Sequence, residues 1–367
     1  MESKSSLFLK AKLLCEGANP DEGSLKLFQK QNPSNVKRGG LSCGGKIRLE
    51  GGLFVNFPLY LRRKTEIKIR IIKERKSEIL LVQDGKSIAR GEILSSPKWY
   101  KEKIGRYKIT QILTAHNRQL VGAIYEDCVL FSLEKQCQFC VMRQSLLKRD
   151  SALVKKSGEL FLEALRKIPL EEYGGLTLNG GMTLGAGRGM EIIEPVIRTI
   201  HKTFPKIPIA VEITPPRDLI WIDRLAEAGI SSLMMNLECW DISYRARLIP
   251  GKNEYCPRDQ YLSAFERAVK VLGPGRVSTC FIVGTEPLSS LKEGIQEVIA
   301  YGVIPSLLAG RYFEEVPAYP FVPDNNWREF LKIAFFTKEQ LLIRGIRSCD
   351  KAGCVACRMC DLISDLF

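Results

Sequence analysis

Histidine is almost missing from this chain: His116 and His201 are its only two, neither has a metal-like partner nearby in sequence, and both are read as structural or exposed. Long apolar runs are missing too. Although 45% of the 367 residues are hydrophobic, enough for a sizeable core, no run approaches the roughly 18 apolar residues of a membrane span. The opening Met1-Glu2-Ser3-Lys4 lacks the apolar stretch of a secretory leader, which predicts a cytoplasmic protein with no membrane partner. There is no internal repeat and no low-complexity segment. Asparagine is sparse beside lysine and glutamate, a balance compatible with a thermophilic source. Acidic residues are the minority, with 41 Asp and Glu against 55 Lys and Arg and a net charge of +14. Such a charge admits an acidic partner, nucleic acid or carrier protein, without choosing between them. The basic runs Arg62-Arg63-Lys64 and Lys68 to Lys76 read as solvated faces rather than a nucleic-acid patch.

Cysteine, by contrast, is plentiful. Twelve cysteines in CxxC groups point to metal rather than disulfides in a reducing compartment. Three of them lie in one stretch, Glu126-Asp127-Cys128 through Cys137-Gln138-Phe139-Cys140, with eight residues and then two between them. A pair two residues apart reaches adjacent irons from one turn of chain, and Cys128 joins when the loop folds back. No fourth cysteine lies nearby, so the spacing suits an iron-sulfur cluster with one iron left open. A zinc knuckle completed by a distant ligand, or three unconnected buried thiols, are the alternatives. The apolar run Leu120 to Tyr125 precedes the loop and reads as a strand. That places the loop at a strand's carboxyl end, where barrel active sites lie.

Up to about residue 115 the sequence gives short β-rich segments, at 46–49, 53–57, 66–72 and 78–82, separated by Gly-Gly and Asp-Gly turns. They predict a small antiparallel platform. From about 118, strands alternate with amphipathic helices at 155–168, 188–203, 217–228, 258–272 and 288–301. Six βα steps predict an α/β fold built on a partial (β/α)6 TIM-type barrel. The expected organisation is a platform over 1–115, a barrel over 116–315 and a cysteine-rich C-terminal segment over 316–367.

The later strand ends carry further polar groups. Asn179-Gly180-Gly181 follows the second strand, Asn236-Leu237-Glu238 the fourth, and Cys280-Phe281-Ile282-Val283-Gly284-Thr285-Glu286 forms the fifth and its exit, with Arg245-Ala246-Arg247-Leu248-Ile249-Pro250-Gly251-Lys252 in between. Taken in order with the three cysteines, these elements resemble the radical S-adenosylmethionine superfamily over residues 118 to about 310. The usual cysteine spacing there is three and two, against eight and two here. The resemblance implies that Cys128, Cys137 and Cys140 hold a 4Fe-4S cluster whose open iron chelates S-adenosylmethionine. It assigns cofactor binding to Phe139, Asn179, Gly180, Gly181, Asn236, Glu238, Arg247, Ile282 and Gly284. Asn236 and Glu238 are assigned to the ribose hydroxyls, and Arg247 to the methionyl carboxylate. The implied chemistry is a 5'-deoxyadenosyl radical that removes hydrogen from an unactivated carbon, with no acid or base side chain required. Cys280 stands where the family places a glycine.

The tail, Ser348-Cys349-Asp350-Lys351-Ala352-Gly353-Cys354-Val355-Ala356-Cys357-Arg358-Met359-Cys360, offers a second site. From Cys354 it resembles a ferredoxin pattern, so Cys349, Cys354, Cys357 and Cys360 are read as ligands of an auxiliary 4Fe-4S cluster, with zinc as the competitor and Ser348 as an alternative to Cys349. Within the superfamily the chain is similar to the biotin and lipoyl synthase branch, most of all to archaeal-type two-component lipoyl synthases and to the radical proteins of nitrilase gene clusters. The first similarity implies sulfur insertion into a protein-bound octanoyl chain with the auxiliary cluster as donor. Its implied partners are an octanoylated lipoyl carrier protein or domain, a low-potential electron donor and a second radical subunit. The second implies a small-molecule substrate, with the auxiliary cluster relaying electrons. An RNA-thiolating enzyme and a non-catalytic electron carrier are the remaining readings. Cys15, Cys43, Cys239 and Cys256 are read as ordinary buried thiols.

Overall fold

The computed structural model describes residues 2–31, 44–72, 77–143, 153–311, 325–347 and 353–367. Cys43, Ser348 and Cys349 therefore lie outside the described residues.

The amino-terminal part begins with two helices, α1 (Glu2–Glu16) and α2 (Glu22–Gln31). The sequence reading anticipated only strands there. Six strands form its sheet: β1 (Asn19–Pro20), β2 (Gly45–Leu49), β3 (Phe54–Phe57), β4 (Ile67–Ile71), β5 (Glu78–Gln83) and β6 (Lys86–Ile93), in the order β1-β4-β5-β6-β2-β3. All pairings are antiparallel except that of β1 with β4. The alternation of Ile67, Ile69 and Ile71 with Lys68 and Arg70 buries one face of β4 and leaves the other in water, as a period of two requires. A two-stranded hairpin, β7 (Lys103–Ile104) and β8 (Tyr107–Lys108), follows.

The second sheet has seven strands in consecutive order: β9 (Thr114–His116), β10 (Gln119–Tyr125), β11 (Gly175–Gly180), β12 (Ile209–Glu212), β13 (Ser232–Met234), β14 (Val277–Val283) and β15 (Ile304–Ala309). From β10 to β15 every neighbour is parallel, and β9 turns back antiparallel along β10. This is the α/β half-barrel that the alternating pattern predicts. Helices follow the strands: α3 (Val129–Ser132) and α4 (Gly158–Leu165) after β10, α5 (Met190–Thr203) after β11 and α6 (Ile220–Glu227) after β12. After β13 come α7 (Ile242–Leu248), α8 (Pro250–Tyr255) and α9 (Arg258–Leu272), and after β14 comes α10 (Leu288–Ala300). Side chains that mask free amide groups set several starts. Ser157 caps α4, and Asp241 accepts from the amides of Ser243 and Tyr244 at α7.

Two further helices close the chain, α11 (Trp327–Ile343), capped by Asn326, and the single turn α12 (Cys354–Cys357). α1 packs on α11 and β3. The tail then packs at the amino-terminal ends of the barrel strands. A side chain at Gly353 would touch Ala210 and Ser232, near the starts of β12 and β13, and Asn117 Nδ2 in the β9–β10 turn donates to Cys357 O at 3.2 Å. Buried Lys10 of α1 ties the tail from outside, donating to Arg358 O at 2.7 Å and to Asp365 at 2.5 Å. Among the described residues no helix is long and apolar enough to cross a membrane.

Candidate functional site

Along the barrel strands, alternate residues face inward. Thr177 and Asn179, Glu212 and Thr214, Met234 and Asn236, Cys280 and Ile282, and Ser306 and Leu308 all line one cavity of about 510 Å³. Their partners in sequence, such as Leu178, Val211, Leu233 and Phe281, are wholly buried in the main core.

The cysteine loop forms one end of that cavity. Cys128 sits at the start of α3, just past the carboxyl end of β10, and Cys137 and Cys140 are joined by a turn in which Cys140 N donates to Cys137 O at 3.0 Å. All three cysteines and Phe139 line the cavity. Two glycines allow the loop to lie where it does. A Cβ on Gly181 would fall 1.8 Å from Asp127 O and 2.9 Å from Cys128 Cβ, and one on Gly251 would fall 2.5 Å from Lys135 O. The Gly180-Gly181 step lines the cavity as the sequence implies, and Gly181 has the added task of admitting the cysteine loop. The Arg-Leu-Ile-Pro-Gly stretch clasps the same loop, with Gln138 N donating to Leu248 O at 2.8 Å and Gly251 N to Lys135 O at 3.0 Å.

Beneath the loop lies a polar group drawn from three elements. Glu212 on β12 accepts from Asn236 Nδ2 at 2.6 Å, and Lys252 on α8 donates to Glu238 Oε1 at 2.7 Å. Glu238 adopts a left-handed backbone, φ 68°, costing roughly 1 kcal/mol for a residue with a side chain. Its amide donates to Cys280 O at 2.8 Å, and its carbonyl accepts from Ile282 N at 2.9 Å, which fixes the carboxylate in the cavity wall. Asn236 Oδ1 and Glu238 Oε2 are buried with no hydrogen-bond partner among the described residues. Burial pushes the Glu212 carboxyl above the usual range, only partly offset by the Asn236 hydrogen bond and Lys252. Burial also opposes the charge on Lys252, yet Glu238, Tyr261 and Cys137 outweigh it and hold the ammonium protonated. Two unpaired acceptors beside a fixed cation suit a ligand with hydroxyl donors and a carboxylate. The residues present therefore fit the nucleoside and amino-acid halves of S-adenosylmethionine.

Two expected cofactor residues fall elsewhere. Arg247 is exposed, its guanidinium 4.5 Å from the Tyr244 ring centroid, and does not line the cavity. Gly284, at φ 88°, also lies outside the lining and turns the chain after β14. Lys252, five residues beyond Arg247, lines the wall instead, as does Arg311 beyond β15; α7 ends at Leu248 and a separate helix, α8, starts at Pro250 and carries Lys252. Neighbouring Arg245 is wholly buried, donating to Leu237 O at 2.7 Å and Cys239 O at 2.9 Å. Glu286 accepts from the amides of Trp240 and Asp241 and props the turn after Glu238.

At the opposite end of the same cavity stand Cys354, Cys357 and Cys360. Burial raises the thiol of Cys357 to about 12 and that of Cys354 well above its ordinary value, so each would have to release a proton on binding metal. Asp361 accepts from Ser306 Oγ at 2.5 Å, and its other carboxylate oxygen is buried without a hydrogen-bond partner among the described residues. Among the described residues no three His, Cys, Asp or Glu side chains converge closely enough for a single metal ion.

Among solved structures the fold is similar to methylornithine synthase, with 15% identity, TM-score 0.48, and coverage of 62% of this chain and 63% of that one, under two thirds of its length. It is also similar to a radical SAM methyltransferase from Sphaerobacter thermophilus, with 16% identity, TM-score 0.47, and coverage of 80% and 77%. Among curated proteins the sequence is similar to the bacteriochlorophyllide c C-7(1)-hydroxylase of Chlorobaculum limnaeum, 23% identical over 335 residues, covering 86% of this chain and 79% of that protein. No family model matches the chain. None of these relatives bears a lipoyl synthase name, so the expected branch gains no support from them.

Proposed function

We propose that this chain is a radical S-adenosylmethionine enzyme that functionalises an unactivated C–H bond inside the barrel. One observation carries the reading: two separate cysteine triads, 128/137/140 and 354/357/360, open into one cavity from opposite ends. Cys128, Cys137 and Cys140 would hold the first cluster, which would supply one-electron reduction of the cofactor and, through it, removal of hydrogen from an unactivated carbon. The chain's own residues orient the cofactor. Asn236 Oδ1 and Glu238 Oε2 accept the ribose hydroxyls, Lys252 takes the carboxylate in place of Arg247, and Phe139 and Ile282 supply apolar contacts. Substrate then occupies the remaining space, walled by Met234, Leu308 and Val121.

The tail triad is read as holding an auxiliary iron-sulfur centre within reach of that substrate, which favours direct participation over remote electron relay. Sulfur insertion with this centre as donor, into an octanoyl chain on an acidic lipoyl carrier, is one form of such participation. A second reading, hydroxylation of a methyl group, is favoured by the sequence similarity to the bacteriochlorophyllide hydroxylase.

The test is anaerobic reconstitution with iron and sulfide, followed by S-adenosylmethionine and a low-potential reductant. 5'-Deoxyadenosine is expected from the intact chain and not from Cys137→Ala; equal release from both would overturn the radical reading. Mass spectrometry then separates the finer readings. An octanoyl-lysine peptide gaining sulfur supports insertion, and bacteriochlorophyllide c gaining oxygen supports hydroxylation.

A further inference from the structure

The CxxCxxC tail supplies three thiolates, whereas a four-iron cluster without an open corner takes four. We propose that Cys280, on the inner face of β14, is the fourth ligand of the tail centre, rather than Cys349 from the adjoining sequence. The inference rests on the reading that the tail cysteines bind metal, and it names a ligand that sequence spacing does not reveal.

Three observations converge on Cys280. It forms one small buried cluster with Met234 and Leu308, separate from the main core, and Cys354 and Cys360 of the tail pack against that cluster. It lies opposite Ser306 in the β14–β15 register, and Ser306 Oγ donates to Asp361, the residue next to Cys360. One pair of strands thus holds both the barrel thiol and the tail. Cys280 is also only 3% exposed yet opens into the cavity, beside the small side chain of Ser306. The other described cysteines outside the two triads, Cys15, Cys239 and Cys256, do not line this cavity. A ligand on a barrel strand would lock the tail to the sheet, because metal binding then joins residue 280 to residues 354–360.

The full chain carrying Cys128→Ala, Cys137→Ala and Cys140→Ala isolates the tail centre. After anaerobic reconstitution it should hold about four irons per chain. Adding Cys280→Ser should reduce this to a three-iron cluster, visible by EPR and Mössbauer spectroscopy, or abolish it, and Cys280→Ala should do the same. Adding Cys349→Ser or Asp361→Asn should leave the four-iron spectrum unchanged. Loss with Cys349→Ser and retention with Cys280→Ala would overturn the proposal, as would loss only with Asp361→Asn. Folding is checked by placing Cys280→Ser in the otherwise intact chain, where the first cluster should persist and still change its EPR signal on addition of S-adenosylmethionine. If the parent variant binds zinc instead of iron, the iron-sulfur reading fails, yet loss of that zinc on Cys280→Ala would still support the four-thiolate assignment. A parent that binds neither metal overturns both.

Discussion

Lys252 Nζ lies 2.7 Å from Glu238 Oε1, with both side chains almost sealed from solvent in the wall beneath the first cysteine loop. Neither group has an equivalent substitute, since the second oxygen of Glu238 is itself unpaired among the described residues. Replacing Lys252 by Met leaves a buried carboxylate without its cation, which costs about 3–5 kcal/mol. The expected result is a lower urea midpoint together with loss of measurable S-adenosylmethionine binding by calorimetry. Arg247→Met, at the exposed position, should alter neither.

Glu212 gives a pH-dependent prediction. Its carboxyl is held above the ordinary range in the folded chain by burial. A raised folded pKa contributes stability that is complete below the unfolded value and is lost as pH rises through the folded one. Above the ordinary carboxylate range, ionisation of this buried group therefore works against folding. Glu212→Gln should melt higher than the parent at neutral pH in the absence of cofactor, and the two melting curves should converge as pH falls toward the ordinary carboxylate range.

The buried pair of Lys10 and Asp365 fastens the tail from the other side. Lys10→Met should cost about 3–5 kcal/mol by leaving Asp365 unpaired, and should release the tail centre selectively. Metal analysis is expected to find the first cluster retained and the tail centre depleted. Lys10→Met with Asp365→Leu should recover part of the stability, because the orphaned charge is gone.

Asn56 reaches across from β3, its Nδ2 3.8 Å from Cys360 Sγ. An N–H directed at a ligand sulfur stabilises the reduced, more negative cluster. Asn56→Leu should therefore lower the reduction potential of the tail centre, read by a spectroscopic redox titration, and leave the potential of the first cluster unchanged.

Gly181→Ala should block assembly of the first cluster altogether. The added methyl has no room between Asp127 and Cys128, and the obstruction is backbone rather than a flexible side chain. Iron content after reconstitution should fall to that of the tail centre alone.

The barrel was legible because its signals are local. Apolar strands of period two, alternating with helices capped by Ser157 and Asp241, repeat six times, and the helix expected at 258–272 is observed over Arg258–Leu272. α1 was not legible. Its buried face carries Lys10, whose charge reads as solvated until Asp365, 355 residues away, is brought beside it. The same holds for Lys252 over Arg247. Both lie on helical turns after β13, and only the tertiary structure places Lys252, on the separate helix α8, in the cavity wall.

The sequence by itself determined the chemistry available, through the spacing of Cys128, Cys137 and Cys140 and the CxxCxxC tail, because ligand spacing within one loop is a property of neighbouring residues. Only the tertiary structure decided that the two triads share one cavity, and that Cys280 and Glu212 belong to it. Those relationships join strands to a tail tens of residues away. They depend on which face of each strand turns inward and on how the chain end is packed into the barrel, and neither is encoded at any single position.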